Sequence, residues 1–308
     1  MVRSILTFAL ALVVASPALG QVPPFVTLWG GPGNGDSQFY TPVGVAVDSD
    51  GIVYVVDSNL HEVKRFTRAG AFISRWPVSD PVGGVAVGAD GFVYVTRAES
   101  ATNVIAKYTK TGTLIAEWDG GTGSLTSMAA DTDGSLYVSD LGEGAVRRYS
   151  STGAVLAEWA AWLIPGFPSL ATVDGVAVDG RGHFFTVQNI GLVRKFTTTG
   201  TLVAEWTVPS VCCGKPVRLA ISPDGSMVYV VDHWNHRIQV FTDTGGFLGQ
   251  WGAAGTAPGQ FLNPIGIAVD GLGNVFVADT NNSRMQVFGD RTTSAVAISW
   301  AALKRRYR

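Results

Sequence analysis

The chain has 308 residues, of which 46% are hydrophobic and 15% are charged, and it holds only two cysteines. A chain of this length and apolar content buries a large core without disulfides, so the composition excludes a disordered protein and a small disulfide-stapled one. Lys and Arg number 22 against 24 Asp and Glu, and six of the cations lie before residue 21 or after residue 290, which leaves the part between them net acidic by eight. Nucleic acid is therefore disfavoured as a partner, because its phosphates bind to a basic surface.

Residues 1–20 have the pattern of a secretory signal peptide. Arg3 precedes the apolar run from Ile5 to Ala15, and small residues offer a cleavage site before Gln21. The apolar run is shorter than the roughly 20 residues that span a bilayer, so we expect no transmembrane segment. We therefore expect the mature protein to be secreted, whether into a periplasm, into the medium or onto the cell surface.

The chain then repeats one unit of four short strands up to residue 290. In the clearest copy, Pro264 to Phe288, three apolar strands are separated by an Asp-Gly-Leu-Gly reversal and by a polar loop. The fourth strand of each unit ends in a tryptophan, and successive tryptophans are 41 to 47 residues apart. Such a unit buries its faces only by stacking on similar units. The six tryptophans are Trp29, Trp76, Trp118, Trp159, Trp206 and Trp251.

These copies resemble the NHL repeat, in which a proline precedes a strand such as Gly-Ile-Ala-Val-Asp and the third strand follows Asn-His-Arg. Two copies, Pro216 to Phe241 and Pro264 to Phe288, match this pattern closely, whereas the second to fourth copies depart from it at Gly88, Thr96 and Gln188. The resemblance implies an all-β protein, a six-bladed β-propeller of NHL-type four-stranded blades over residues 25–290. It does not imply one activity.

The first strand of the chain and the last copy of the repeat complement each other. Phe25 to Gly30 reads as a fourth strand with no first three before it, and the copy that ends at Phe288 has three strands and no fourth. We expect the N-terminal strand to complete the last blade, because this pairing closes the ring and removes both open edges.

The loops predict where a ligand binds. The turns between third and fourth strands are short and alike, which predicts a plain face, whereas the longer connections from fourth to first strands share the opposite face with the loops between second and third strands. We call this second face the loop-rich face. It carries Trp162, Asp174, Arg218, His233 and Trp234, and the charged pair lies near the mouth of the central channel. Aromatic residues with a few polar groups indicate a site for a protein, peptide or small molecule. The alternatives are that Asp174 and Arg218 only pair with each other and that Trp162 only covers a blade interface.

Two adjacent cysteines, Cys212 and Cys213, lie in a loop of the same face. Neighbouring Cα atoms are about 3.8 Å apart, closer than in most disulfides, so a bond between these residues would be strained and reducible. An oxidising compartment permits such a vicinal disulfide, and two separate thiols are the alternative.

An enzyme is the alternative to a binding module. Amidating lyases that act on peptidyl-hydroxyglycine are similar six-bladed propellers with a zinc held by channel histidines, and gluconolactonase-type propellers hold a divalent ion with carboxylates and asparagines. The four histidines, His61, His183, His233 and His236, do not come from separate inner strands. We therefore expect no metal, cofactor or catalytic set. The aspartates that end strands, such as Asp48, Asp57, Asp232 and Asp279, are interpreted as residues that hold turns and loops.

Charges outside these loops have simpler interpretations. The cations of the third strands, among them Lys64, Arg147, Arg194 and Lys195, are interpreted as solvated positions, and the alternative is a basic sector on the propeller. Residues 291–308 form a basic C-terminal tail with an apolar middle. This tail is either a sorting or docking tag with a partner at the cell surface, or a frayed terminus.

Overall fold

The computed structural model describes residues 22–99, 102–160, 172–209 and 216–289, which form six four-stranded antiparallel sheets arranged as the blades of a propeller. The predicted fold class is confirmed. Blades 1 to 3 contain β2 (Pro42–Val47), β3 (Val53–Asp57), β4 (Glu62–Phe66) and β5 (Phe72–Pro77); β6 (Pro81–Val87), β7 (Val93–Ala98), β8 (Asn103–Tyr108) and β9 (Leu114–Gly121); and β10 (Leu125–Ala130), β11 (Leu136–Asp140), β12 (Ala145–Tyr149) and β13 (Val155–Ala160).

Blades 4 to 6 follow the same order, except that the last one takes its fourth strand from the start of the chain. They contain β14 (Val173–Val178), β15 (His183–Gln188), β16 (Leu192–Thr197) and β17 (Leu202–Thr207); β18 (Pro216–Ile221), β19 (Met227–Asp232), β20 (Arg237–Thr242) and β21 (Phe247–Trp251); and β22 (Ile267–Val269), β23 (Val275–Asp279), β24 (Arg284–Phe288) and β1 (Phe25–Gly30). Two 3-10 turns, His233–Asn235 and Thr280–Asn282, join the second and third strands of blades 5 and 6.

The strands differ in burial according to their place in the blade. All five residues of the second strand β3 are buried, because neighbouring blades cover both faces of a central strand. In contrast, exposed residues alternate with partly buried or buried ones along the outermost strand β5. The first strand of each blade lines the channel, and the last one forms the rim.

Blade 6 is closed as the sequence predicts. Strand β1 pairs antiparallel with β24, with Phe25 opposite Phe288 and Gly30 opposite Arg284. The rings of Phe25 and Phe288 also meet edge to face, with their centroids 5.9 Å apart. The N-terminal strand is therefore an integral strand of the last blade.

The turns between third and fourth strands interlock the blades. Each such turn in blades 1 to 5 has a glycine with positive φ that lies against the tryptophan of the preceding blade. A Cβ atom placed on Gly112 would lie 2.5 Å from the ring of Trp76, and one on Gly153 would lie 2.7 Å from Trp118. These short turns therefore hold neighbouring blades together.

Several cations of the third strands are buried, so their interpretation as solvated positions was wrong. Lys64 is fully buried and its Nζ donates to the Gly35 carbonyl at 2.7 Å. Arg194 is 1% exposed. Each of these buried cations is compensated by an acid or by carbonyl oxygens. The ion pairs include Lys64 with Glu62, Arg194 with Glu205, Lys195 with Asp243 and Arg147 with Asp140.

Within the described residues, no helix has the length and apolar character that a membrane span requires.

Candidate functional site

The guanidinium group of Arg218 closes the central channel. Strand β18 directs this side chain inward, where Nη1 donates to the carbonyl of Asp174 at 2.7 Å and to that of Val217 at 2.9 Å. Its Nη2 donates to the carbonyl of Thr126 in blade 3. A cavity of about 40 Å³ remains beside it, lined by residues from the inner edges of all six blades. This space suffices for a few water molecules.

Arg218 and Asp174 lie together, as the sequence predicts for a charged pair. Burial lowers the pKa of Arg218 to about 10, and the Asp174 carboxylate partly offsets this effect. Asp174 is itself buried, and its Oδ2 accepts a hydrogen bond from the Thr172 hydroxyl at 2.9 Å. The arginine thus carries its charge at neutral pH and bridges blades 3, 4 and 5 through main-chain carbonyls.

The 3-10 turn at His233–Asn235 fixes the other two predicted residues. His233 Nδ1 donates to the Pro264 carbonyl at 3.0 Å, and Asn235 donates to both oxygens of Asp232 at 3.0 Å. Trp234, between them, is 55% exposed. The turn therefore presents a large aromatic side chain to solvent on a backbone that is tied down on both sides.

Three other predicted residues, Trp162, Cys212 and Cys213, lie outside the described residues. Their roles in a ligand site and in a vicinal disulfide stay predictions.

The aspartates at strand ends hold loops, as interpreted from the sequence. Asp57 accepts hydrogen bonds from the main-chain N–H groups of Tyr40 and Thr41 at 2.7 and 3.0 Å. Asp279 accepts from Arg284 Nε at 2.7 Å and from Gln286 Nε2 at 2.9 Å. These carboxylates are already saturated by their own blade.

The opposite face carries a groove of about 270 Å³ over blades 1 to 3. Lys110 lies at its edge, with Nζ 3.0 Å from Asp48 and 3.0 Å from Asp50. Burial by itself raises the pKa of Asp48, but the hydrogen bond from the Ile52 N–H and the Lys110 ammonium outweigh it and leave the pKa below its usual value. The charge of Lys110 in blade 2 is thus paired with the two aspartates of blade 1.

Sequence reasoning missed a cavity between blades 3 and 4. It has a volume of about 210 Å³ and is lined by the outer strands of blade 3 and by β15 and β16 of blade 4. Three of its lining residues, Phe184, Thr186 and Gln188, alternate along β15. In the other copies, Val or Leu stands at the position of Phe184 and Val at that of Thr186. The position of Gln188 is most often Asp. Aligning the second strands of the six copies would have shown that blade 4 differs from the others at all three positions that line the cavity.

Groups of three or more His, Cys, Asp or Glu residues arranged to hold a metal ion do not occur among the described residues.

Comparison with known proteins supports the repeat. The family model of the NHL repeat matches residues 39–66 and 261–288. Over 39 residues the chain is 54% identical to the B-box type zinc finger protein ncl-1 of Caenorhabditis elegans, and over 88 residues it is 38% identical to the peptidyl-glycine alpha-amidating monooxygenase of Mus musculus. These matches cover 13% and 27% of this chain, and only 5% and 9% of the two relatives.

Solved structures show the same fold at low identity. Virginiamycin B lyase from Staphylococcus aureus aligns with a TM-score of 0.59 and 17% identity over 80% of this chain and 79% of that one. A structural-genomics protein from Bacteroides thetaiotaomicron aligns with a TM-score of 0.66 and 18% identity over 88% and 83% of the two chains. At this level of identity the likeness concerns the fold alone.

Proposed function

Since this chain is a six-bladed propeller built from NHL repeats, we propose that it acts as a binding module for a protein, peptide or small-molecule ligand on its loop-rich face. The observation that carries this proposal is Trp234, which is 55% exposed on a fixed turn. A solvent-exposed tryptophan on a rigid support is the kind of residue that contributes most to binding at protein interfaces, because it buries a large area with little loss of conformational freedom.

Two further exposed apolar side chains support the same face. Tyr40 precedes β2 and Ile190 lies between β15 and β16, and both are about half exposed. These positions are on the side of the ring where the first strands begin and the second strands end. Three blades thus contribute an apolar contact residue to the loop-rich face, and the polar loops between them supply hydrogen-bonding groups.

The filled channel supports a role in binding. The Arg218 guanidinium occupies the axis of the ring and is held by carbonyls from three blades. A substrate in the channel would have to displace these hydrogen bonds, whereas a ligand on the loop-rich face leaves them intact.

Selection of peptides on the immobilised protein tests the proposal. A random peptide library is enriched on the wild-type chain, and one selected peptide is titrated against wild type, Trp234→Ala and Leu272→Ala. Leu272 is also an exposed apolar residue, but it lies in the turn between β22 and β23 on the opposite face. We expect Trp234→Ala to weaken binding at least about tenfold, as for an interface hot spot, and Leu272→Ala to change it less than about twofold. Equal effects of the two substitutions would contradict the choice of face.

Export is part of the proposal. The residues 1–20 that resemble a signal peptide support it. Intact mass analysis of the protein recovered from the medium or from a periplasmic fraction should give a mature chain that begins at Gln21. An uncleaved chain confined to the cytoplasm would contradict export.

A propeller enzyme is the second candidate function. The 38% identity to a segment of peptidyl-glycine alpha-amidating monooxygenase favours it. Elemental analysis of chain purified without chelator distinguishes the two candidates. One zinc or calcium ion per chain, together with turnover of a peptidyl-hydroxyglycine or lactone substrate that a chelator abolishes, would favour the enzyme.

A further inference from the structure

We propose that the cavity between blades 3 and 4 is a second binding site, and that it takes a flat, mostly apolar ring that carries one hydrogen-bond donor. We call it the interblade cavity. It has a volume of about 210 Å³ and is lined by residues of β12 to β16 and by Gly200, and none of them is Trp234, Tyr40 or Ile190, the contact residues of the proposed function. The two proposals therefore rest on different residues.

Aromatic rings form one wall of the interblade cavity. Trp159 and Phe184 have ring centroids 4.7 Å apart, and Phe184 and Phe196 are stacked at 5.0 Å with an angle of 18° between their planes. Val146 and Val173 add further apolar surface. Stacked rings of this kind offer a flat surface that favours a planar, apolar ligand.

One buried acceptor lines the same cavity. Gln188 is 1% exposed, and its Oε1 has no hydrogen-bond partner among the described residues. An amide oxygen that is buried without a donor is destabilising, because it has lost its hydrogen bonds to water. A ligand that brings an N–H or O–H group to this atom therefore gains both a hydrogen bond and relief of that penalty.

The sequence of blade 4 produces this acceptor. In blade 3 the corresponding residue is Asp140, which binds Arg147 of the third strand at 2.9 Å. In both blades the arginine directs its Nε to a glutamate of the fourth strand, and in blade 4 Arg194 binds Glu205 at 2.7 Å. Blade 4 has Gln188 in place of the aspartate, and the Oε1 of Gln188 accepts no bond from the arginine. The replacement thus separates two groups that are paired in the neighbouring blade.

The charges around the cavity favour a neutral ligand. Arg194 is paired with Glu205, and Glu158 at the rim is paired with Arg147 at 2.9 Å. Since Arg194 and Arg147 are both compensated, a neutral ligand would be recognised by stacking on the rings and by a hydrogen bond to Gln188. Indole and phenol rings combine these features, either as free molecules or as side chains of a peptide.

A pair of matched probes tests the inference on the wild-type chain. Indole and benzofuran have nearly the same shape, but only indole has an N–H donor. Binding is measured by isothermal titration calorimetry and by ligand-observed NMR. We expect indole to bind at least about tenfold more tightly than benzofuran, which corresponds to about 1.4 kcal/mol. Equal affinities, or no binding of either probe at millimolar concentration, would overturn the proposal.

One substitution assigns the preference to Gln188. Gln188→Met keeps the size of the side chain and removes the acceptor, so indole should lose its advantage over benzofuran while benzofuran still binds. A preference for indole that persists in a folded Gln188→Met would contradict the assignment. Trp234→Ala should leave indole binding unchanged, which separates this site from the proposed function.

Discussion

One glycine in each turn between the third and fourth strands satisfies two requirements at once. In blade 2, Gly112 has a φ of 94°, a conformation that residues with a Cβ atom rarely adopt. It also lies against Trp76 of blade 1, where a Cβ atom would be 2.5 Å from the ring. The glycine that ends each Thr-x-x-Gly or Ser-x-x-Gly turn is therefore required by blade stacking as well as by turn geometry.

These two requirements can be separated by substitution. Gly91 also has a positive φ, of 79°, but nothing lies within 4 Å of its Cβ position. We expect Gly91→Ala to lower the free energy of unfolding by about 1 kcal/mol through backbone strain alone. Gly112→Ala should lower it by about 1–3 kcal/mol more, because the Trp76 ring must move. Urea denaturation of both variants measures the difference, and equal losses would show that the tryptophan contact contributes nothing.

The hydrogen bonds of the buried polar residues Arg218 and Gln188 could not be predicted from the sequence. Arg218 was identified from the sequence because it replaces a glycine of the repeat. Asp174 was expected beside it, but the hydrogen bonds of Arg218 go to the main-chain carbonyls of Asp174 and Thr126, 44 and 92 residues away along the chain. Every residue has such a carbonyl, so these bonds have no signal in the sequence. Gln188 was noted only as a departure from the repeat, since a sequence does not tell whether a buried amide finds a donor.

Among the elements, the second strands carry tyrosines that bind protons more tightly in the folded protein. Tyr54, Tyr137 and Tyr229 occupy the same position of β3, β11 and β19 and are buried. In each case burial is the main cause that raises the pKa from 10.0 to about 12. The unfolded chain therefore loses these protons near pH 10, whereas the folded one keeps them to about pH 12.

This difference predicts that stability falls as pH rises from about 10 to 12. In that window unfolding releases protons, so each tyrosine lowers the free energy of unfolding by at most about 1.4 kcal/mol per pH unit. Arg218 acts in the opposite direction, because its pKa is lowered to about 10, but three tyrosines outweigh one arginine. Urea denaturation followed by circular dichroism between pH 9 and 11.5 measures the slope.

Tyr137→Phe gives the sharpest check of this pH dependence. The hydroxyl of Tyr137 has no hydrogen-bond partner among the described residues, so its removal should cost little at pH 7 and should make the alkaline slope shallower. Tyr54→Phe should have the same effect on the slope but should destabilise the protein at pH 7 by about 1 kcal/mol, because the Tyr54 hydroxyl donates to Asp48 at 3.2 Å. A slope that neither substitution changes would contradict the role of these tyrosines.

Most elements could be predicted from the sequence, because turn residues and apolar runs are local signals. The strands of blade 6 were expected near their observed positions, although β22 is shorter and begins at Ile267. The 3-10 turns were not predicted, because they depend on residues at positive φ, such as His236 at 53°. The interblade cavity was missed because it arises where strands of two blades face each other.

For the whole molecule, the pairing of β1 with β24 predicts a strong effect of deletion. Removing residues 22–30 exposes the edge of β24 and takes the buried Trp29 from its contacts with Phe66 and Phe276. We expect a fall in melting temperature of more than about 10 °C, since loss of a buried tryptophan alone costs about 3–5 kcal/mol. Differential scanning calorimetry measures it, and an unchanged melting temperature would contradict closure.

A peptide supplied separately serves as the control for this deletion. A synthetic peptide of residues 22–31 should restore the lost stability by adding a strand to β24. The same peptide with Trp29→Ala should restore much less, because it lacks the ring that packs between blades 6 and 1. Equal rescue by both peptides would show that backbone pairing alone accounts for closure.

The same pairing also fixes the order in which the protein reaches its final form. Strand β1 leaves the ribosome before every other strand of the propeller, whereas β24 leaves after all of them. The blades between them can form and stack earlier, but β1 stays unpaired until β24, which ends at Phe288, has been synthesised. Resistance to proteases should therefore arise late and abruptly, at the moment when the two ends of the repeat array meet.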